Sequence, residues 1–203
     1  FIRERPLGLL ITLADAGLQA NPIPFLIDPG PTPLGTLRGH VARANPLWRE
    51  TRADVDALIV FQGPQAYVSP SMYATKAATG KVVPTWNYVT VQARGRLRVM
   101  DDAGWVRKIV ERLTQTHEAS RAVPWAVGDA PNDYIETMLH AIVGIEIELT
   151  ALQGKWKVTQ NRNAADRQGV VYGLEQQAQA TGDAQALAMA QLVARGAADC
   201  LLP

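Results

Sequence analysis

The chain has 203 residues, 47% hydrophobic and 19% charged, a globular balance that excludes a mainly disordered chain and allows one large domain or two small ones. Twenty Lys and Arg against nineteen Asp and Glu leave a formal charge of +1, without the excess expected of a strongly basic nucleic-acid binder. Its single cysteine, Cys200, excludes an internal disulfide framework and a Cys-rich zinc site within these residues, and suits a reducing cytoplasm.

In chain order, Leu7–Leu13 reads as a buried strand, and Asp15-Ala16-Gly17 as a turn. Pro24–Asp28 is a second strand, stopped by Pro29-Gly30-Pro31, and Thr36–Val41 is a third. Pro46 holds Asn45 in an extended or turn geometry. Ala57–Phe61 is a short apolar strand, and Gln62–Pro84 is expected to be a polar, proline-punctuated loop. From Val89 to Met100 apolar residues fall on one parity and Arg94, Arg96 and Arg98 on the other, so one face of this strand is buried. Gly95 in its middle predicts a bulge or sharp bend.

Asp101-Asp102 then caps a helix with Trp105, Val106, Ile109, Val110 and Leu113 on one stripe. Tyr134–His140 is a short helix, and Ile145–Leu149 alternates as a strand. Gln153-Gly154 is expected to turn the chain, with Lys155–Val158 returning as a hairpin partner. Two helices, Ala164–Ala180 and Gln185–Arg195, flank Thr181-Gly182-Asp183. This order predicts a mainly antiparallel barrel with peripheral helices, the C-terminal ones packed outside. The composition change sets a domain at 1–163 and a helical extension at 164–203. No stretch approaches the roughly 20 apolar residues of a membrane span. No basic segment followed by an apolar run opens the chain, so no secretory signal is expected, and the start at Phe1 leads us to expect preceding residues.

Three clusters could carry chemistry. His40, Arg43 and Asn45 gather at a strand end and could offer several donors to one anion, or form an ordinary surface turn. Trp86, Asn87 and Tyr88 start a strand, where two aromatics around an amide suit a planar ring, although core packing explains them equally. Lys155, Lys157, Gln160, Asn161 and Arg162 form a basic run around Trp156 that suits a phosphate, a heterocycle edge or a single strand of nucleic acid, or simply a solvated hairpin rim. The Gln62–Tyr73 segment has no base beside Ser69 or Ser71, so no serine nucleophile is read there. His117 and His140 lack metal-type spacing. No phosphate-binding glycine loop or dinucleotide fingerprint occurs.

Four motifs in fixed order carry a resemblance: Gly-His-Val-Ala-Arg-Ala-Asn-Pro (39–46), Gln-Gly-Pro-Gln-Ala-Tyr-Val-Ser-Pro-Ser-Met-Tyr (62–73), Val-Pro-Thr-Trp-Asn-Tyr (83–88) and Lys-Val-Thr-Gln-Asn-Arg (157–162). Together they resemble the PaiB-type FMN-binding negative transcriptional regulators, from Phe1 to about Leu174. The resemblance implies the six-stranded antiparallel Greek-key split barrel of pyridoxamine-phosphate oxidase type. It also implies a homodimer with FMN in clefts at the dimer interface. It places His40, Arg43 and Asn45 on the phosphate side and Trp86, Asn87 and Tyr88 nearer the ribityl chain or ring. Lys157, Gln160, Asn161 and Arg162 could come from either subunit. Met72 departs from the family pattern, where Trp is expected.

Three functions follow for testing. The first is an FMN flavoprotein, with an oxidoreductase activity left open and no catalytic residue assigned. The second is the DNA-binding regulator of the family's name. From Asp166 to Pro203, however, four acids (Asp166, Glu175, Asp183, Asp199) face two bases (Arg167, Arg195), a net of −2, which is little for a recognition helix to work with. The third is a haem-binding split barrel, for which His40, His117 and His140 are the available imidazoles. The expectation is a cytoplasmic homodimer that binds FMN, with no metal and no membrane association.

Overall fold

A computed structural model describes residues 1–196; Cys200 and the rest of 197–203 lie outside the described residues. In chain order the elements are β1 (Leu7–Ala14), β2 (Gly17–Pro24), β3 (Leu26–Asp28), β4 (Thr36–Ala42), α1 (Leu47–Glu50), β5 (Ala57–Val68), a 3-10 turn (Pro70–Met72), α2 (Thr75–Thr79) and β6 (Thr85–Met100). They continue with α3 (Ala103–Glu118), a 3-10 turn (Val127–Asp129), α4 (Asn132–His140), β7 (Ile142–Lys157), α5 (Ala164–Thr181) and α6 (Ala184–Arg195).

The strands form one sheet in the order β2-β1-β5-β6-β7-β4-β3. It is mainly antiparallel: β1 pairs so with β2 and β5, and β4 with β3 and β7. The expected six-stranded Greek-key split barrel is corrected to seven strands in an open sheet. The reason lies at Phe25. The single strand expected at Pro24–Asp28 is two elements, of which β2 pairs with β1 at one sheet edge and β3 with β4 at the other. Only Phe25 separates them. A ring that is 1% exposed fixes the bend, edge-on to Phe61 with centroids 6.2 Å apart. Two prolines in β2 are tolerated because an edge strand need not donate on its outer side.

Three further expectations are corrected. The Gln62–Pro84 loop is strand as far as Val68, since Ala66 and Val68 are buried while Gln65 and Tyr67 are exposed. Pro64 and Gly63 hide that alternation in the sequence. The turn at Gln153-Gly154 does not exist, because β7 runs unbroken from Ile142 to Lys157. Gly154 is there for space: a Cβ would meet the Trp156 ring at 2.3 Å. Gly95 likewise lies in unbroken strand, where a Cβ would meet the Glu148 carbonyl oxygen at 2.0 Å.

The helix termini follow the sequence. Asp102 Oδ1 accepts from the Trp105 amide at 2.7 Å, and Val106, Ile109 and Leu113 are the buried stripe of α3. Asn163 caps α5 at Asp166 N (2.8 Å). Gly182 closes α5 at φ 73°, a left-handed position that favours glycine, and Asp183 caps α6.

The chain divides into two compact units. One comprises Phe1–Phe61 and Val91–Gln153, the other Gln62–Thr90 and the described residues from Gly154 to Gly196. In the first, Leu10, Leu37, Ile59, Phe61, Ile145, Ile147 and Leu149 form the fully buried centre. In the second, Val68, Val170, Leu174, Met189 and Ala190 do so. No helix among the described residues is long and apolar enough to cross a membrane.

Candidate functional site

The first cluster lies in the first unit, where β4 runs into α1. Arg43 donates four hydrogen bonds to protein groups. Its Nε donates to the His140 carbonyl (2.8 Å), Nη1 and Nη2 to the Asp101 carboxylate (3.0 and 2.6 Å), and Nη2 also to the Ile142 carbonyl (3.1 Å). That fork ties the β4 end to the start of β7 and the N-terminus of α3. It holds the Asp101 carboxyl below its ordinary range, the hydrogen bond being the main cause. Asn45 accepts from the Leu47 amide and donates to Asn21 Oδ1 (2.9 and 2.8 Å), so it shapes the turn into α1. His40 is half-buried, and burial pushes its pKa down, so the imidazole is neutral near pH 7. Its Nδ1 is buried with no hydrogen-bond partner among the described residues. The cluster therefore holds one buried imidazole nitrogen without a partner among the described residues, while the expected arginine fork is committed to protein groups.

The second and third clusters meet in the second unit. Strand parity brings Trp86 and Tyr88 to one side and Asn87 to the other. Trp86 is 54% exposed and stands edge-on to Tyr67 at 5.9 Å. The ammoniums of Lys155 and Lys157 lie 5.5 and 5.8 Å from the Tyr88 ring centre, and Lys157 Nζ donates to Thr85 Oγ1 at 2.7 Å. Neither lysine makes an ion pair among the described residues. Three aromatic rings and two cations without carboxylate partners thus gather at the end of β5, the start of β6 and the end of β7. A flat, anionic guest fits that donor set.

Asn87 faces inward. It is 1% exposed and donates to Thr159 Oγ1 at 2.6 Å. Thr159 is the described non-glycine residue held at positive φ (64°), a conformation that a β-branched side chain avoids. Gln160 braces the same turn, accepting from Val158 N (2.7 Å) and donating to the Trp156 carbonyl (2.6 Å). Asn161 is exposed on that turn. Arg162 covers the Tyr73 ring at 4.8 Å. Burial of the Tyr73 phenol raises its pKa, and the guanidinium opposes that rise.

Met72, where the family pattern expects Trp, packs on α5. Nearby, the buried Asp166 accepts from Thr75 N and Oγ1 (2.8 and 2.9 Å) and fixes the start of α2. Sequence reasoning missed Tyr67 and Thr85, and read Lys155 only as part of a basic run. The period-two pattern through Gln65 and Tyr67 could have found Tyr67.

Residues 1–151 match the family described as "Putative FMN-binding domain". The chain belongs to this family. FMN is the family's cofactor, and the chain is of the PaiB type. A Bacillus subtilis relative, protease synthase and sporulation protein PAI 2, is 31% identical over 186 residues, covering 86% of this chain and 81% of that protein. An uncharacterized Aspergillus fumigatus protein is 37% identical over 220 residues, covering 86% and 84%. The flavocytochrome Anf3 structure from Azotobacter vinelandii matches with TM-score 0.51 at 12% identity, over 74% of this chain and 61% of that one, a likeness of fold.

Proposed function

We propose that this chain is a redox flavoprotein in which Trp86, Tyr88, Tyr67, Lys155 and Lys157 form the FMN-facing surface. The observation that carries the reading is the half-buried Tyr88 ring under two ammoniums that have no carboxylate partner among the described residues, with the exposed Trp86 and Tyr67 rings beside it. FMN has a flat ring system and a phosphate dianion, and those groups answer each part. When bound, FMN supplies hydride or electron transfer, and the protein supplies position and field. Lys155 and Lys157 bind the anionic end. Trp86 and Tyr67 exclude water from one side of the guest. Asn87 and Thr159 hold the β6 start and the turn after β7 in one arrangement, and so act as positioning residues.

A homodimer belongs to the same proposal. Its support is the run Thr150–Lys155, exposed throughout although it lies in a strand. Partner coverage of that run accounts for a strand open on both faces. Cytoplasmic location stays part of the proposal on the reading of Cys200. The regulatory role of the family name is read as indirect, through flavin chemistry or a protein partner. The haem reading is not favoured, since His117 and His140 are exposed on helices.

The test is the absorption spectrum of freshly isolated protein, followed by FMN titration of stripped protein. A flavin spectrum is expected, with saturable quenching of FMN fluorescence. The double variant Lys155→Ala/Lys157→Ala should weaken FMN at least about tenfold, as loss of charge-assisted contacts does. No flavin on isolation together with no quenching would overturn the reading. A Soret band would replace it with haem. Sedimentation equilibrium tests the dimer, and a monomer at micromolar concentration would remove that part alone.

A further inference from the structure

A cleft of about 560 Å³ lies in the first unit, and none of its lining residues belongs to the FMN-facing set. That volume falls in the range of small-molecule sites. One wall is a single face of α3, because Glu111, Thr114, Gln115 and Glu118 recur at helical spacing. The opposite wall is the segment Pro124–Gly128, which carries Trp125.

This second wall is built rather than loose. Glu118 Oε2 accepts the Trp125 amide at 3.2 Å, and Asp129 Oδ2 accepts the Ala126 amide at 2.8 Å. Val127 is anchored in a core of Val106, Ile135 and Leu139. Trp125 is nonetheless 44% exposed, so its indole is available at the cleft. The charge lining the cleft has one sign: two carboxylates and no cation. Arg107 reaches Glu111 only at 3.7 Å and spends its closer contact, 2.6 Å, on Glu136. Arg121 reaches Glu118 only at 4.0 Å.

We propose that this cleft binds an organic amine, an ammonium group carried on a short apolar or aromatic body. The body lies along Trp125 and the apolar wall, and the ammonium meets Glu111 and the indole face together. Ion pairing and cation–π attraction then act on the same charge. Thr114 and Gln115 supply further hydrogen-bond acceptors for its N–H groups. An anion of the same shape is repelled, so the site selects by sign of charge.

Isothermal titration of the full chain, as isolated, tests this with three probes of one ring: tryptamine, indole and indole-3-acetate. Saturable one-site binding of tryptamine is expected, with indole weaker and indole-3-acetate weakest. Glu111→Gln should weaken tryptamine about tenfold, as loss of one charge contact to a bound cation does. Trp125→Ala should abolish saturation, with an unchanged melting profile confirming that the fold persists. The proposal is overturned if tryptamine does not bind, if indole-3-acetate binds equally well, or if Glu111→Gln leaves the tryptamine affinity unchanged. Flavin content is read separately, so this result and the FMN result stand or fall independently.

Discussion

His40 is neutral because burial disfavours its charged form. The unfolded chain takes up a proton near pH 6.5 while the folded chain does so only at lower pH, so stability present above that value is lost as pH falls toward the depressed one. Urea unfolding across pH 7.5 to 5, a range set by the ordinary histidine value of about 6.5, should show falling stability, and His40→Asn should flatten that slope. Asp28 has the same sign at lower pH. The Arg112 hydrogen bond is the largest cause of its lowered pKa, with Arg38 adding to it against desolvation. Its stabilisation is complete above the ordinary carboxylate value of 3.8 and fades as pH falls through the lower folded value. Asp28→Asn leaves Arg38 paired with Glu146 at 2.7 Å but frees Arg112, and should cost about 1–3 kcal/mol by denaturant unfolding, in line with loss of charge-assisted bonds. Asn87→Ala strands the Thr159 hydroxyl beside an unfilled space and should cost about 1–3 kcal/mol in the same assay.

At the scale of elements, α5 meets the Pro70–Met72 turn through two glycines one helical turn apart. A Cβ at Gly169 would meet the Met72 carbonyl oxygen at 2.2 Å, which is rigid backbone. A Cβ at Gly173 would meet Met72 Cγ at 2.6 Å, part of a flexible side chain. Alanine gains about 1 kcal/mol of helix propensity at either position. Gly169→Ala should therefore lower the melting temperature, while Gly173→Ala should leave it nearly unchanged, a difference that calorimetry of the two variants can read. The cap of α3 was legible because an aspartate before a helical stripe has one local job. The outer half of β5 was not, since Gly63 and Pro64 interrupt a pattern that only neighbouring strands make coherent. β2 was missed for a related reason: a polar edge strand with two prolines looks like a loop until a partner pairs with it.

For the whole molecule, FMN bound to the folded chain but not to the unfolded one must stabilise it. At a free concentration 100 times the dissociation constant, the gain is about 2.7 kcal/mol. Stripped protein should melt below the FMN-loaded form, and a melting temperature unchanged by added FMN would count against a cofactor site. A direct DNA role predicts a steeply salt-dependent gel shift. The acidic balance of residues 166–203 predicts none.

Local chemistry was readable from the sequence alone: the capped helices, the period-two strand with its arginines, and four ordered motifs that mark an FMN-binding family. Such features depend on neighbours a few residues away, so linear spacing carries them. Which donors stay open was decided only by folding. Arg43 looked like a phosphate fork, yet Asp101 and two carbonyls contributed from around residue 140 take up its N–H groups. Asn87 looked like a ring partner, yet strand parity turns it inward to Thr159, while Lys155 and Tyr67 emerge beside Tyr88 and Trp86. A side chain's availability depends on what distant segments bring within about 3 Å of it, hydrogen-bond distance, and only the tertiary fold sets that.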